Sequence, residues 1–139
     1  LTLLKIIKNG IPLPFKSIRN KRSLIYVGNL VDAIGLTLEH PDAANQTYFV
    51  SDAEVTSTSD LIKIIAYSLG KNPRLIRFPR WIMEFIGASI GKSGMIQRTM
   101  GSLCVNTRHI ENQLKWRPPY TMEDGIMATV NWFNENSLK

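Results

Sequence analysis

The sequence predicts a mixed α/β fold within one domain, and three features lead there. Apolar residues recur at helical spacing in several stretches, from Leu3, Leu4 and Ile7 to Met122, Ile126, Val130 and Phe133. Short runs rich in β-branched and aromatic residues, such as "RSLIYV" and "QTYFVSD", lie between them. Gly, Asn and Pro punctuate the boundaries, and 139 residues suffice for one compact domain. About six helices and four short strands follow from this pattern.

The first helix carries Leu3, Leu4 and Ile7 and stops at "NGIPLPF". There Asn9-Gly10 supplies a C-terminal cap, and Pro12 and Pro14 hold the backbone extended. Residues 22–27, "RSLIYV", read as a strand ending at Gly28. A helix follows in "NLVDAIGLTLEH", with Leu30, Val31, Ile34 and Leu38 at helical spacing and Pro41 past its end. Residues 46–52, "QTYFVSD", read as another strand. The next helix takes Ser57 or Thr58 as its cap, turns Leu61, Ile62, Ile65 and Leu69 inward, and ends around Gly70 and Pro73. "RLIRF" is then a short strand, and Pro79 opens a helix in "PRWIMEFIGASIG". Asn106 caps a short helix in "NTRHIENQLKW", and Thr121 with Asp124 caps the last one.

The single cysteine, Cys104, has no internal disulfide partner, and His40 and His109 lie near no cysteine cluster. This favours a reducing, cytoplasmic compartment and disfavours a structural zinc site. No apolar run approaches the length of a membrane span, and no signal peptide is visible, so the "NQT" sequon at Asn45 reads as chance. The chain opens at Leu1 directly into a helical pattern, which reads as part of something longer.

The net charge of +6 is unevenly spread. The first 31 residues carry Lys5, Lys8, Lys16, Arg19, Lys21 and Arg22 without one acidic group, and Lys71, Arg74, Arg77 and Arg80 form a second such run. Runs of this kind fit a polyanion: nucleic acid, a membrane surface, or the diphosphate of a nucleotide. Two motif-like stretches carry less than they promise. "YSLGK" places Tyr67 four residues before Lys71, the spacing at which an ammonium can lower the pKa of a proton-transferring Tyr. Gly70 and Pro73, however, end the helix around Lys71. "GASIGKS", residues 87–93, has one residue too few between its glycines for a phosphate-binding loop and follows a helix, not a strand. The stretch "KRSLIYVGNLVDAI" carries more. It sets Arg22 at the start of a strand beside a Pro-rich loop, where a guanidinium can fork onto phosphate oxygens. Phe15 in "PLPF" can offer an apolar face to a base.

The pieces "PLPF", "RSLIYVGNLVDAI", "TYFVSD", "GSLCVNTRHIENQLKWRPPYTMEDGI" and "NWF" together resemble the C-terminal portion of the NAD-dependent epimerase/dehydratase family. These are extended short-chain dehydrogenases acting on nucleotide sugars. The most specific piece is "LKWRPPYTMEDGI", similar to the family's Leu-Gly-Trp-x-Pro…Glu-x-Gly ending. Several pieces look closest to bacterial enzymes of surface-polysaccharide synthesis, including 4-epimerases and 4-keto-sugar reductases. The resemblance implies that residues 22–52 add strands and a helix to a Rossmann-like core, with the remainder a small mixed substrate-binding region. It implies that Arg22 contacts the diphosphate of a nucleoside-diphosphate sugar, that Leu13, Pro14 and Phe15 lie along its base, and that Arg98 is a second phosphate-binding Arg. Trp116 is expected as a core anchor between the last helices.

The chain departs from the pattern at Gly28 and Asn106, where the family often has Asp, and at Lys115, where a Gly usually precedes Trp. Lys115 puts a left-handed turn there in question. The family's Gly-rich NAD loop and its own Tyr-x-x-x-Lys have no counterpart in this chain. NAD is therefore expected to belong to the whole enzyme, and this region alone is expected to be non-catalytic. Strands made to join another sheet would leave apolar edges, and self-association into a homo-oligomer is one way to cover them. The competing expectation is a non-catalytic basic module for nucleic acid or anionic lipid, although no nucleic-acid motif is present.

Overall fold

The computed structural model describes residues 1–79, 82, 94 and 100–136. The helix expected over "PRWIMEFIGASIG" falls almost wholly outside the described residues, as do the "GASIGKS" stretch and Arg98. The described residues include helices α1 (Thr2–Lys8), α2 (Val27–Glu39), α3 (Thr58–Ser68), α4 (Arg108–Gln113) and α5 (Met122–Asn136), a 3-10 turn at Pro41–Ala43 and two short strands. The strands, β1 (Arg22–Ser23) and β2 (Val55–Thr56), pair antiparallel with Arg22 opposite Thr56.

Helices α1, α3 and α5 close on one core. Leu4 and Ile7 of α1, Ile62, Ile65 and Ala66 of α3, and Val130 and Phe133 of α5 are buried together, with Leu13 joining from the loop. These are the stripes that the spacing predicts. Their ends are also local. Gly10 has φ +68°, with Gly10 N–H donating to Ile7 O and Ile11 N–H to Ile6 O. Gly70 has φ +65°, with Gly70 N–H donating to Tyr67 O and Lys71 N–H to Ala66 O. Both are Schellman closures, which need the left-handed conformation that glycine adopts freely. Lys71 thus lies beyond α3, as the punctuation predicts. At the start of α3, Ser57 Oγ accepts from Asp60 N–H at 3.0 Å and donates to its carboxylate at 2.7 Å. At the start of α5, the Thr121 hydroxyl accepts from Asp124 N–H at 3.2 Å, and Asp124 Oδ2 accepts from Thr121 N–H at 3.0 Å. That reciprocal pair is a capping box.

The expected strands are shorter than their composition implies. "RSLIYV" contributes two strand residues, because α2 begins already at Val27. "QTYFVSD" forms no strand; its Asp52 N–H donates to Leu24 O at 2.7 Å, but no ladder follows. "RLIRF" is reduced to a parallel bridge between Leu75 and Leu13. A strand needs a neighbour to bond with, and among the described residues these segments have little.

The second core is smaller. Ala33 of α2, Ile110 and Leu114 of the α4 region, and Trp116 are buried together, with Leu36, Tyr48 and Val50 packed against them. Trp116 is buried in a core as expected, but the helix it ties to α4 is α2 and not α5, and it donates from Nε1 to Asp32 Oδ2 at 2.8 Å. Lys115 has φ +56°, so the left-handed turn before Trp116 forms although the residue is Lys. Helix α2 faces inward with Asn29, Ala33 and Leu36, whereas Val31, Ile34 and Leu38 of its apolar stripe are exposed.

Candidate functional site

Arg22 sits in the middle of a small three-stranded arrangement. On one side it pairs with Thr56 of β2, and on the other it forms a parallel bridge with Leu103. Leu103 N–H donates to Lys21 O at 2.8 Å, and Ser23 N–H donates to Leu103 O at 2.9 Å. Lys21 N–H donates to Ser102 Oγ at 3.0 Å, and Val105 N–H to Ser23 Oγ at 3.2 Å. The "GSLCV" and "RSLIYV" pieces, about eighty residues apart in sequence, are therefore neighbours. The backbone that carries Arg22 is fixed from both sides, and its side chain is half-buried.

Asn20 sets the approach to this strand. It is buried, accepts from Thr58 N–H at 2.8 Å, and donates to Thr58 Oγ1 and Gly101 O, both at 3.0 Å. One side chain thus ties the loop before Arg22 to the first turn of α3 and to the 101–105 segment. Upstream, Leu13 is buried in the α1–α3–α5 core, and its backbone bonds to Arg74 O and Ile76 N–H. Its side chain is thus in the core, and its N–H and C=O are both engaged with the 74–76 segment. Pro14 and Phe15 are half-buried, and Phe15 bridges the main core to a pair formed by Ile18 and Met100. Arg98 lies outside the described residues.

A second fixed constellation opens α2. Asn29, fully buried, donates to Asp52 Oδ1 at 2.6 Å and to Tyr120 O at 2.9 Å, and accepts from Tyr120 N–H at 2.9 Å. Tyr26 N–H donates to Asp52 Oδ1 at 3.0 Å, which brings a carboxylate to the start of α2. The Tyr26 ring stands edge-on to Tyr120 and lies against Gly28 and Gly125, where an added Cβ would come within 2.5 and 2.8 Å of it. This explains Gly28: Asp52 supplies the carboxylate from another segment, and a side chain at 28 would crowd Tyr26. Asn20, Asn29 and Asp52 were not legible as positioning groups. The one available signal was the spacing of Asn29, Ala33 and Leu36, a second helical face opposite the apolar stripe.

Two carboxyls are shifted. Hydrogen bonds from Lys63, at 2.8 Å, and from Ser57 hold Asp60 below its ordinary value. Those from the Thr121 side chain and backbone do the same for Asp124. Both are capping groups at helix starts, and neither is near Arg22 in sequence. Among the described residues no three His, Cys, Asp or Glu cluster as metal ligands would. What the Arg22 strand can do chemically is carry a cation on a backbone bonded from both sides, an arrangement suited to holding an anion.

No family model matches the chain. A UDP-glucose 4-epimerase of Vibrio cholerae is 39% identical over 133 residues, covering 95% of this chain and 40% of that protein. A dTDP-4-dehydro-6-deoxyglucose reductase of Escherichia coli is 27% identical over 121 residues, covering 86% of this chain and 33% of that one. In fold the chain is similar to a dTDP-glucose 4,6-dehydratase of Bacillus anthracis solved with NAD, with a TM-score of 0.67 at 19% identity over 99% of this chain and 39% of that one. The chain spans between one third and two fifths of the length of these proteins, as a C-terminal part of such an enzyme would. On these likenesses the chain belongs to the NAD-dependent epimerase/dehydratase family of extended short-chain dehydrogenases.

Proposed function

We propose that this chain is the substrate-binding C-terminal region of an NAD-dependent nucleoside-diphosphate-sugar epimerase, reductase or dehydratase, acting on a UDP-sugar in bacterial surface-polysaccharide synthesis. The observation that carries this reading is the fixing of Arg22 between β2 and the 101–105 segment. Its guanidinium is assigned to the diphosphate, with Arg98 as a second phosphate contact. Leu13, Pro14 and Phe15 are assigned to lie along the base. The similarity to an enzyme named UDP-glucose 4-epimerase supports the UDP form. NAD, which in such enzymes exchanges a hydride with the sugar, is assigned to the part of the enzyme outside this region. No residue here is given a role toward it, and the region alone is not catalytic.

Residues 22–52 are assigned to the Rossmann-like core of the whole enzyme. Support comes from the outward stripe of α2: Val27, Val31, Ile34 and Leu38 are exposed at helical spacing, and Phe49 is 62% exposed in the neighbouring extended segment. An apolar face of that kind fits burial against more protein. Calorimetric titration of the protein with UDP-glucose and with single-stranded DNA tests the reading. Saturable binding of UDP-glucose is expected; binding of DNA with none of UDP-glucose would replace this reading with a basic module.

A further inference from the structure

The two acid-free basic runs meet in space. Leu13 N–H donates to Arg74 O at 2.8 Å, Ile76 N–H to Leu13 O at 3.0 Å, and Lys16 N–H to Ile76 O at 3.2 Å. This pairing lays the loop after Pro14 along the 73–77 segment. Between them and α3 opens a cleft of about 570 Å³, whose walls include Lys16, Arg19, Lys63 and Arg77. Neither the first 31 residues nor residues 61–79 contain a carboxylate. Among the described residues the only carboxylate paired with any of the four is Asp60, which bonds Lys63 at 2.8 Å. Lys16, Arg19 and Arg77 are left facing the cleft as exposed cations with no ion-pair partner among the described residues.

Cations gathered around one cleft without carboxylates between them focus a positive potential that draws an anion in. Two guanidiniums can each fork onto phosphate oxygens, while a lysine serves as a point charge. The cleft adds hydroxyls suited to the same oxygens, from Ser59 on the buried side and Tyr67 on the exposed side. None of Leu13, Pro14, Phe15 or Arg22 lines it. We infer that this cleft is a second anion site, separate from the Arg22 strand, that binds a small ligand bearing a diphosphate group. The site stands or falls independently of any role for Arg22. It also gives Tyr67 a use: an exposed hydroxyl at the wall of an anion cleft, not a proton-transfer partner of Lys71.

The test is calorimetric titration with inorganic pyrophosphate at low ionic strength, combined with amide chemical-shift mapping. Binding should perturb residues 16–19, 59–67 and 75–77. The double variant Arg19→Ala/Arg77→Ala should weaken it about tenfold or more, since it removes two charge-assisted contacts. Arg22→Ala should leave these perturbations in place, which separates this site from the proposed substrate contact. Both replaced arginines are exposed, so the double variant should unfold at the same temperature as the parent. Lys16→Ala, which leaves both arginines in place, should weaken binding as well. Unchanged affinity in the double variant, or equal loss on replacing the remote Lys115, would overturn the inference. So would adsorption to phosphatidylglycerol vesicles without saturable pyrophosphate binding, because that is the behaviour of a diffuse basic surface.

Discussion

The side of the molecule built from α1, α3 and α5 buries its apolar stripes in its own core, whereas α2 turns Val31, Ile34 and Leu38 outward, Leu38 being 81% exposed. The two regions are consequently held by different forces. The first rests on burial, with Ile62 and Val130 almost wholly excluded from solvent. The second rests on a small apolar cluster around Trp116 and on the hydrogen bonds that Asn29 donates to Asp52 and Trp116 to Asp32. A region that completes its own core needs nothing further, while one that leaves a helical stripe bare is shaped to meet another surface. That contrast is why residues 22–52 are assigned to a larger core in the whole enzyme.

The largest expected effect breaks the first region alone. Ile62→Ala should cost about 3 kcal/mol in denaturant unfolding, since it opens a cavity in a closed core. Ile34→Ala, on the outward stripe, should change stability of this chain by no more than about 0.5 kcal/mol. Equal costs would mean that α2 is packed inward after all. Next comes the polar anchor: Asn29→Ala should destabilise by about 2 kcal/mol, because it strands the buried Asp52 carboxyl and the Tyr120 backbone groups without their partner. Ser, which cannot reach both partners, should not restore it.

A smaller effect, of opposite sign, is expected at Lys115. Its φ of +56° suits glycine, so Lys115→Gly should stabilise by about 1 kcal/mol, read as a rise in melting temperature. The smallest effect is in the acid range. Asp60 and Asp124 have lowered pKa values when folded, so their contribution is present above the ordinary carboxylate value. It is lost as pH falls below about 4 and through the folded values. Asp124→Asn should flatten that acid limb slightly, as followed by helical circular dichroism against pH.

How much of this was legible in the sequence divides along the same line. The α1, α3 and α5 helices, with Gly10, Gly70, Ser57 and Thr121 at their ends, could be read because stripes, caps and left-handed closures are set by residues within a turn or two of each other. Strand segments could not be read as well. "QTYFVSD" has strand composition but no strand neighbour among the described residues, and strand character depends on a partner that may be remote in sequence. Lys115 misled for a different reason: packing of Trp116 and closure of α4 impose the left-handed turn against local preference. At the site, the Arg22 strand was legible as a motif. Its support was not, since Asn20, Thr58 and Gly101 converge only in three dimensions.

The central claim is that the Arg22 strand grips substrate while NAD is held elsewhere in the enzyme. The most direct measurement compares UDP-sugar and NAD affinities in the whole enzyme before and after Arg22→Ala. UDP-sugar binding is expected to weaken about tenfold or more while NAD binding stays nearly unchanged. Unchanged UDP-sugar affinity, or equal loss of both ligands, would contradict it.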